Sequence, residues 1–238
     1  MAVSKERERN LSQIIRKDAK NCFMEVKSDT FSIGKIHLEF TAYDMNRPEG
    51  ERATNHVNIY IDVAEYLNLA HYILHGGCHS HMMSLKKSGG EAMNKPLYQS
   101  LGGTSAAKLA YYGNPRKDGM SQSRVAKLFV GKKSDYLFCA ESGPGEENEK
   151  KLIVPRYGRN PEQKVTVSLS TKDLNELMLA VIVDYQAWRS VWYAQNYQSL
   201  RSLNGKVDGK VSVEENGNNS ADDMKMFYCY TFNIHFYV

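Results

Sequence analysis

The chain lacks any apolar run long enough to cross a bilayer and any pair of closely spaced cysteines. Its longest apolar stretch, LMLAVIV at 177–183, falls far short of the roughly 20 residues a spanning helix needs. The opening MAVSKERERNLSQIIRKDAK is charged and has no apolar core of the signal-peptide kind. A cytoplasmic protein with no membrane contact is expected. Cys22, Cys78, Cys139 and Cys229 are scattered without a C-x-x-C pair, which argues against a disulfide framework and against a cysteine-rich zinc module.

The familiar catalytic signatures are also missing. No G-x-S-x-G, G-x-G-x-x-G, H-E-x-x-H or phosphate-binding G-x-x-x-x-G-K-[ST] occurs. Ser105-x-x-Lys108 has the nucleophile spacing of penicillin-binding proteins, but Ser134-Asp135 is followed by Tyr136 and no K-T-G exists to complete the set. The expectation is a non-enzymatic protein with no catalytic residues and no cofactor.

What is present is ordinary globular composition, 42% apolar and 24% charged over 238 residues, enough for one large domain or two small ones. Fifteen tyrosines against eight phenylalanines favour rings that keep one wet edge, a hint of contact surfaces. The net charge of +4 is unevenly spread. Residues 84–138 carry Lys86, Lys87, Lys95, Lys108, Arg116, Lys117, Arg124, Lys127, Lys132 and Lys133 against Glu91, Asp118 and Asp135, a local balance of +7. A polyanion is a plausible partner.

FSIGKIHLEFTAYD at 31–44 alternates with Ile36, Leu38, Phe40 and Ala42 in phase, and HVNIYID at 56–62 does the same with Val57, Ile59 and Ile61. Asp62 with Glu65 imitates a capping box that opens a helix over 63–75. The second half repeats this: strand candidates at 124–132, 136–143, 151–158 and 164–170, then Ser170 with Asp173 opening a helix striped by Leu174, Leu177, Met178, Val181, Tyr185, Trp188 and Trp192. A gapless shift of 108 residues lays Val57, Ile59, Ile61, Asp62, Glu65, Leu69 and Ile73 on Val165, Val167, Leu169, Ser170, Asp173, Leu177 and Val181. Two tandem antiparallel sheet-then-helix units, an α+β architecture ending in a long C-terminal helix, are expected. The boundaries are a charged N-terminal segment 1–21, a first unit 22–75, a basic glycine-rich insertion 76–123, a second unit 124–203, and a linker with an aromatic tail 204–238.

HYILHGGCHSHMM at 71–83 gathers His71, His75, His79, His81 and Cys78, all competent zinc or copper ligands. Gly76-Gly77 is a helix stop, so His79 and His81 are expected to leave the helix, and the cluster is read first as a boundary and only second as a metal site.

Cations and rings interleave in KLAYYGNPRK (Lys108, Tyr111, Tyr112, Arg116, Lys117), KLFVGKKSDYLF (Lys127, Phe129, Lys132, Lys133, Tyr136) and PRYGR (Arg156, Tyr157, Arg159). Single-stranded nucleic acid asks for that mixture, cations tracking phosphates and rings stacking on bases. With Lys35, Tyr43 and Arg47 of the first half, these are the candidate nucleic-acid-binding residues.

The segment GKIHLEFTAYD…NHVNIYIDVAEYLNLAHYI resembles the repeated unit of the positive-cofactor-four and Whirly families of single-stranded DNA-binding proteins, and two such units in one chain look like Whirly. The resemblance implies curved sheets that bind single-stranded DNA along their faces, helices that mediate homo-oligomerisation, and no catalytic residues. RNA is a possible alternative ligand. GGTSAAKLA and SGPGEENEKKLIVPRYG are also similar to proteins of bacterial mobile elements, where a single-strand binder or a protein-binding assembly module would be at home.

Overall fold

The structure, a computed structural model, describes residues 10–207. The chain is α+β with two antiparallel sheets. The first is a meander, β1 (Gln13–Ala19), β2 (Cys22–Lys27), β3 (Lys35–Tyr43) and β4 (Ala53–Asp62), each strand paired with its sequence neighbour. Helices α1 (Val63–Leu74) and α2 (Gly77–Ser88) follow. The second sheet comprises β5 (Tyr98–Thr104), β6 (Ser121–Val130), β7 (Tyr136–Glu147), β8 (Ile153–Pro155) and β9 (Gln163–Leu169), with the short helix α3 (Ala106–Tyr111) between β5 and β6. Helix α4 spans Thr171–Val207. Trp192 closes one compact unit; Tyr193–Val207, the described part of the second, is the end of α4. Among the described residues no helix is long and apolar enough to cross a membrane. The aromatic tail at 224–238 and nearly all of the expected linker lie outside the described residues.

The period-two pattern decides which side chains meet. Met24, Phe40 and Val57 lie opposite one another across β2, β3 and β4, as do Val26, Leu38 and Ile59. Leu128, Phe138 and Val167 form the equivalent row of the second sheet, and Val130, Tyr136 and Leu169 the next. All are buried, and the two inner faces share one core in which the Phe40 and Phe138 rings meet edge-on, 5.5 Å apart at 78°. The repeat therefore extends further than the 108-residue shift suggests. Each half is an antiparallel meander followed by a helix, because β8 and β9 lie end to end along one edge of β7. Paired residue numbers sum to 300 along β8 (Gly145 with Pro155) and to 305 along β9 (Ser142 with Gln163), so the seven-residue segment 156–162 carries five residues more than one continuous strand position needs and forms an excursion from it.

Two segments expected to lie outside the units are part of them. β1, within the segment read as a charged leader, is the edge of the first sheet, and β5, within the insertion, is the edge of the second. The Gly76-Gly77 stop also behaves differently from expectation. Gly76 takes φ +79, ends α1 and at once precedes α2, so His79 and His81 stay helical.

The two helix starts differ in chemistry. Asp62 makes no side-chain cap; its carboxylate pairs with Lys35 at 2.8 Å, while Glu65 accepts from the Tyr98 hydroxyl at 2.6 Å. At α4 the capping box is complete. Ser170 donates from N and Oγ to Asp173 at 3.2 and 2.6 Å, and the Asp173 amide donates back to Ser170 Oγ at 3.1 Å. Lys17 of β1 adds an ion pair to Asp173 at 2.9 Å. Those bonds, Ser170 first and Lys17 second, hold the Asp173 carboxyl down at about 2, against an ordinary value of 3.8. A depressed acid contributes stability above its ordinary pKa and loses it as pH falls toward the folded value. Asp173→Asn should thus cost about 1 kcal/mol at pH 7, a figure discounted because the carboxylate is 39% exposed. The difference from wild type should shrink between pH 4 and pH 2 in urea titrations; a gap that stays constant with pH would show that the charge plays no part.

Along α4 the stripe Leu174, Leu177, Met178 and Val181 is buried, and the buried Tyr66 hydroxyl of α1 donates to the Leu177 carbonyl at 3.2 Å. Tyr185 and Trp188 then close on Phe31, at 5.2 and 5.7 Å between ring centres. Leu179 and Val183 lie outside this packing, 51% and 64% exposed.

Candidate nucleic-acid interface

The candidate residues fall into three places rather than one stripe. The first is the end of the second sheet where β6 begins. Ser105 caps α3, its Oγ accepting from the Lys108 amide at 3.4 Å, which gives the Ser-x-x-Lys spacing a structural use. Tyr111 and Tyr112 end that helix 84% and 68% exposed, their rings 5.2 Å apart and nearly perpendicular. Lys108 and Lys117 are exposed beside them in sequence and form no ion pair among the described residues.

Arg116 in the same segment does not fit its expected role. It forks onto Asp118 and Glu162 at 2.7 Å each and donates to Gln122 at 2.5 Å. Those carboxylates raise its pKa and consume its donors, so it is a clamp between the α3–β6 loop and the 156–162 excursion rather than a phosphate contact. In that excursion Arg156 pairs with Glu146, and the Tyr157 ring lies against Gly143, where a Cβ would come within 2.8 Å of its Cδ1. The Tyr157 hydroxyl is buried with no hydrogen-bond partner among the described residues, and burial pushes its pKa far above the ordinary value. Tyr157 is thus a packing residue, and Arg159 alone of PRYGR is exposed without an acidic partner among the described residues.

The second place is the outer face of the second sheet and the turn beyond it. Lys127 binds the buried Glu141 at 2.6 Å, and Lys164 binds the same carboxylate at 3.0 Å. Phe129 is half-buried, and Lys132 and Lys133 stand exposed in the β6–β7 turn. Tyr136 is not available for stacking. It is 2% exposed on the inner face beside Phe138, because the parity of YLFCA places residues 136, 138 and 140 together.

The third place is the first sheet, where Lys35 pairs with Asp62, Tyr43 lies 6.2 Å from Phe23, and Arg47 sits exposed in the β3–β4 turn, 4.0 Å from Asp44. Lys35 and Tyr43 occupy opposite ends of β3 and cannot act at one point.

The outer face of the first sheet holds a network that the interleaving pattern did not single out. His37 donates from Nδ1 to Asp29 at 3.0 Å, its Nε2 lies 2.9 Å from Asn58 Oδ1, and Asn58 Nδ2 lies 3.1 Å from His56 Nε2. His56 Nδ1 reaches the Thr41 hydroxyl at 3.0 Å, the Tyr60 ring stacks on His37 at 4.6 Å, and Arg16 lies over Phe23 at 3.6 Å. The signal was in the sequence: in HVNIYID the residues that alternate with the core are His56, Asn58 and Tyr60.

The histidine-rich stretch does not assemble. The His71 and His75 rings stack at 3.9 Å on the exposed side of α1, His81 reaches the Tyr72 hydroxyl at 2.9 Å, and Cys78 points into the core with its thiol pushed up to about 11 by burial. Among the described residues no group of three or more His, Cys, Asp or Glu side chains is placed to hold a metal ion. Compared with protein-family models, with curated proteins and with solved structures, the chain matches none.

Proposed function

We propose that the chain is a non-catalytic binder of single-stranded nucleic acid, DNA in the first instance, acting by phosphate neutralisation and base stacking with little sequence preference. The observation that carries this reading is the exposed Tyr111–Tyr112 pair, with Lys108 and Lys117 flanking it in sequence and free of acidic partners among the described residues. Two large rings facing water give up apolar burial, a cost that a stacking surface explains. Lys132, Lys133 and Arg159 supply further cations left over after internal pairing, and Arg47 adds an exposed one at the edge of a loose pair with Asp44, whereas Arg116, Lys127, Tyr136 and Tyr157 are withdrawn from the contact surface because the fold uses them.

Fluorescence anisotropy with labelled oligonucleotides tests the reading. Tyr111→Ala and Tyr112→Ala should each weaken binding by about 1–3 kcal/mol, roughly 5- to 150-fold. Lys132→Glu with Lys133→Glu should weaken every sequence alike and flatten the salt dependence. No binding to DNA or RNA single strands at low salt, or binding indifferent to salt, would sink the proposal. Self-association through the exposed Leu179 and Val183 face of α4 belongs to the same reading, and a monomeric mass by light scattering would remove it.

A further inference from the structure

Most cations on the strands are neutralised within the fold, by Asp173 and Glu176 for Lys17, Glu39 for Lys27, Glu141 for Lys127 and Lys164. Arg124 of β6 is a different case. Its residue is half-buried, and it forms no ion pair among the described residues. Among the described residues one of its five N–H donors is used, Nη1 to the Thr104 hydroxyl at 2.9 Å. Burial lowers its pKa, whereas Arg16 and Arg116, forked onto carboxylates, are raised. Desolvating a guanidinium without a counter-charge costs free energy that a single hydroxyl acceptor returns only in part. Such a residue is a candidate for an external anion.

The surroundings suit one. Arg124 lies opposite Gly102 on β5 and Ser142 on β7, so neither flanking strand places an acid or a bulky side chain beside it. A Cβ at Gly102 would meet only the Arg124 carbonyl oxygen, at 3.6 Å, so the β5 position facing Arg124 carries no side chain to crowd it. Thr104 accepts from Arg124 and so keeps its own O–H to donate. A two-pronged guanidinium with a hydroxyl donor beside it matches the three free oxygens of a phosphate monoester better than the two of a carboxylate.

We infer that Arg124 and Thr104 form a half-buried site for a phosphate oxyanion, supplied either as the terminal phosphate of a nucleic-acid strand or as free phosphate. The terminal-phosphate source rests on the single-strand reading above; the free-phosphate source does not.

Thermal melts of the full chain in sodium phosphate and in sodium chloride at equal ionic strength test the site. Phosphate should raise the wild-type midpoint progressively and leave Arg124→Met unmoved, while Arg124→Lys, which keeps the charge and loses the fork, should respond weakly. Arg124→Met should melt in chloride at or above the wild-type temperature, because it removes an uncompensated charge at similar volume. Equal phosphate shifts in wild type and Arg124→Met, or no shift in wild type, would overturn the site. A second arm compares 5′-phosphorylated with 5′-hydroxyl oligonucleotides. A roughly tenfold preference for the phosphorylated strand, about 1.4 kcal/mol, lost in Arg124→Met and kept in Lys95→Met, assigns the phosphate to a strand end. A phosphate shift without that preference assigns free phosphate. If no oligonucleotide binds and the Arg124-dependent shift remains, the single-strand reading fails and the site stands.

Discussion

Phe138→Ala is expected to remove about 4 kcal/mol of stability, the cost typical of emptying a phenylalanine site that cannot collapse. Phe138 is fully buried, lies between Leu128 and Val167 on the adjacent strands, and meets the Phe40 ring of the opposite sheet edge-on. Each sheet is held rigid by its own ladder, so neither can move in to fill the gap. Urea denaturation at constant m-value would read the loss as a fall in midpoint. Phe138→Leu, which keeps most of the volume, should cost only about 1 kcal/mol. In a double-mutant cycle with Phe40→Ala the two losses should fall short of additivity by about 1 kcal/mol, the edge-on ring contact. A loss below about 1.5 kcal/mol for Phe138→Ala would mean that the inner faces do not interlock as described.

Gly103→Ala should cost about 3 kcal/mol for a different reason. At φ +149 an alanine is strained, and its Cβ would stand 2.1 Å from the Gln122 carbonyl oxygen and 3.1 Å from Ile153. The obstacle is backbone of the neighbouring strand, so relief requires β5 and β6 to part next to the Thr104–Gln122 pair. Gly102→Ala is the matched control. Its Cβ would meet only one oxygen at an ordinary 3.6 Å, and its cost should stay below about 1 kcal/mol. Amide shifts in an NMR correlation spectrum would place the disturbance: β5 and β6 for Gly103→Ala, little for Gly102→Ala. Equal costs for the two would refute the close approach.

The sequence shows most plainly what is periodic and local. The alternation of β3 and β4, the start of α1, the Ser170–Asp173 box and the apolar stripe of α4 are all visible as spacing. β1 and β5 are not. Both are edge strands: QIIRKDA has charge where a core strand would have apolar residues, because Arg16 and Lys17 find their partners in Glu25 and Asp173, and YQSLGGT carries two glycines. The same distance effect blurs the candidate site. Arg116 is spent on its near neighbour Asp118 and on Glu162, 46 residues away, and nothing near Arg116 in the chain announces the second. Tyr136 reads as a ring among lysines until its parity with Phe138 is counted. Arg124 is the converse, one basic residue among ten in sequence, distinguished only when the fold leaves it without an acid.

Apart from β9, each strand pairs with a strand next to it in the chain, and this bears on how fast the molecule assembles. The β1–β2 hairpin closes over residues 20–21 and the β6–β7 hairpin over 131–135, each a short loop at small entropic cost, whereas β5 reaches β6 across residues 105–120. The one strand that must travel is β9, which returns past the 156–162 excursion to lie along β7 and then touches all four strands of the first sheet. Docking of β9 and its helix therefore joins two locally formed meanders, and the slowest contacts in the search are those made by Val165, Val167 and Leu169.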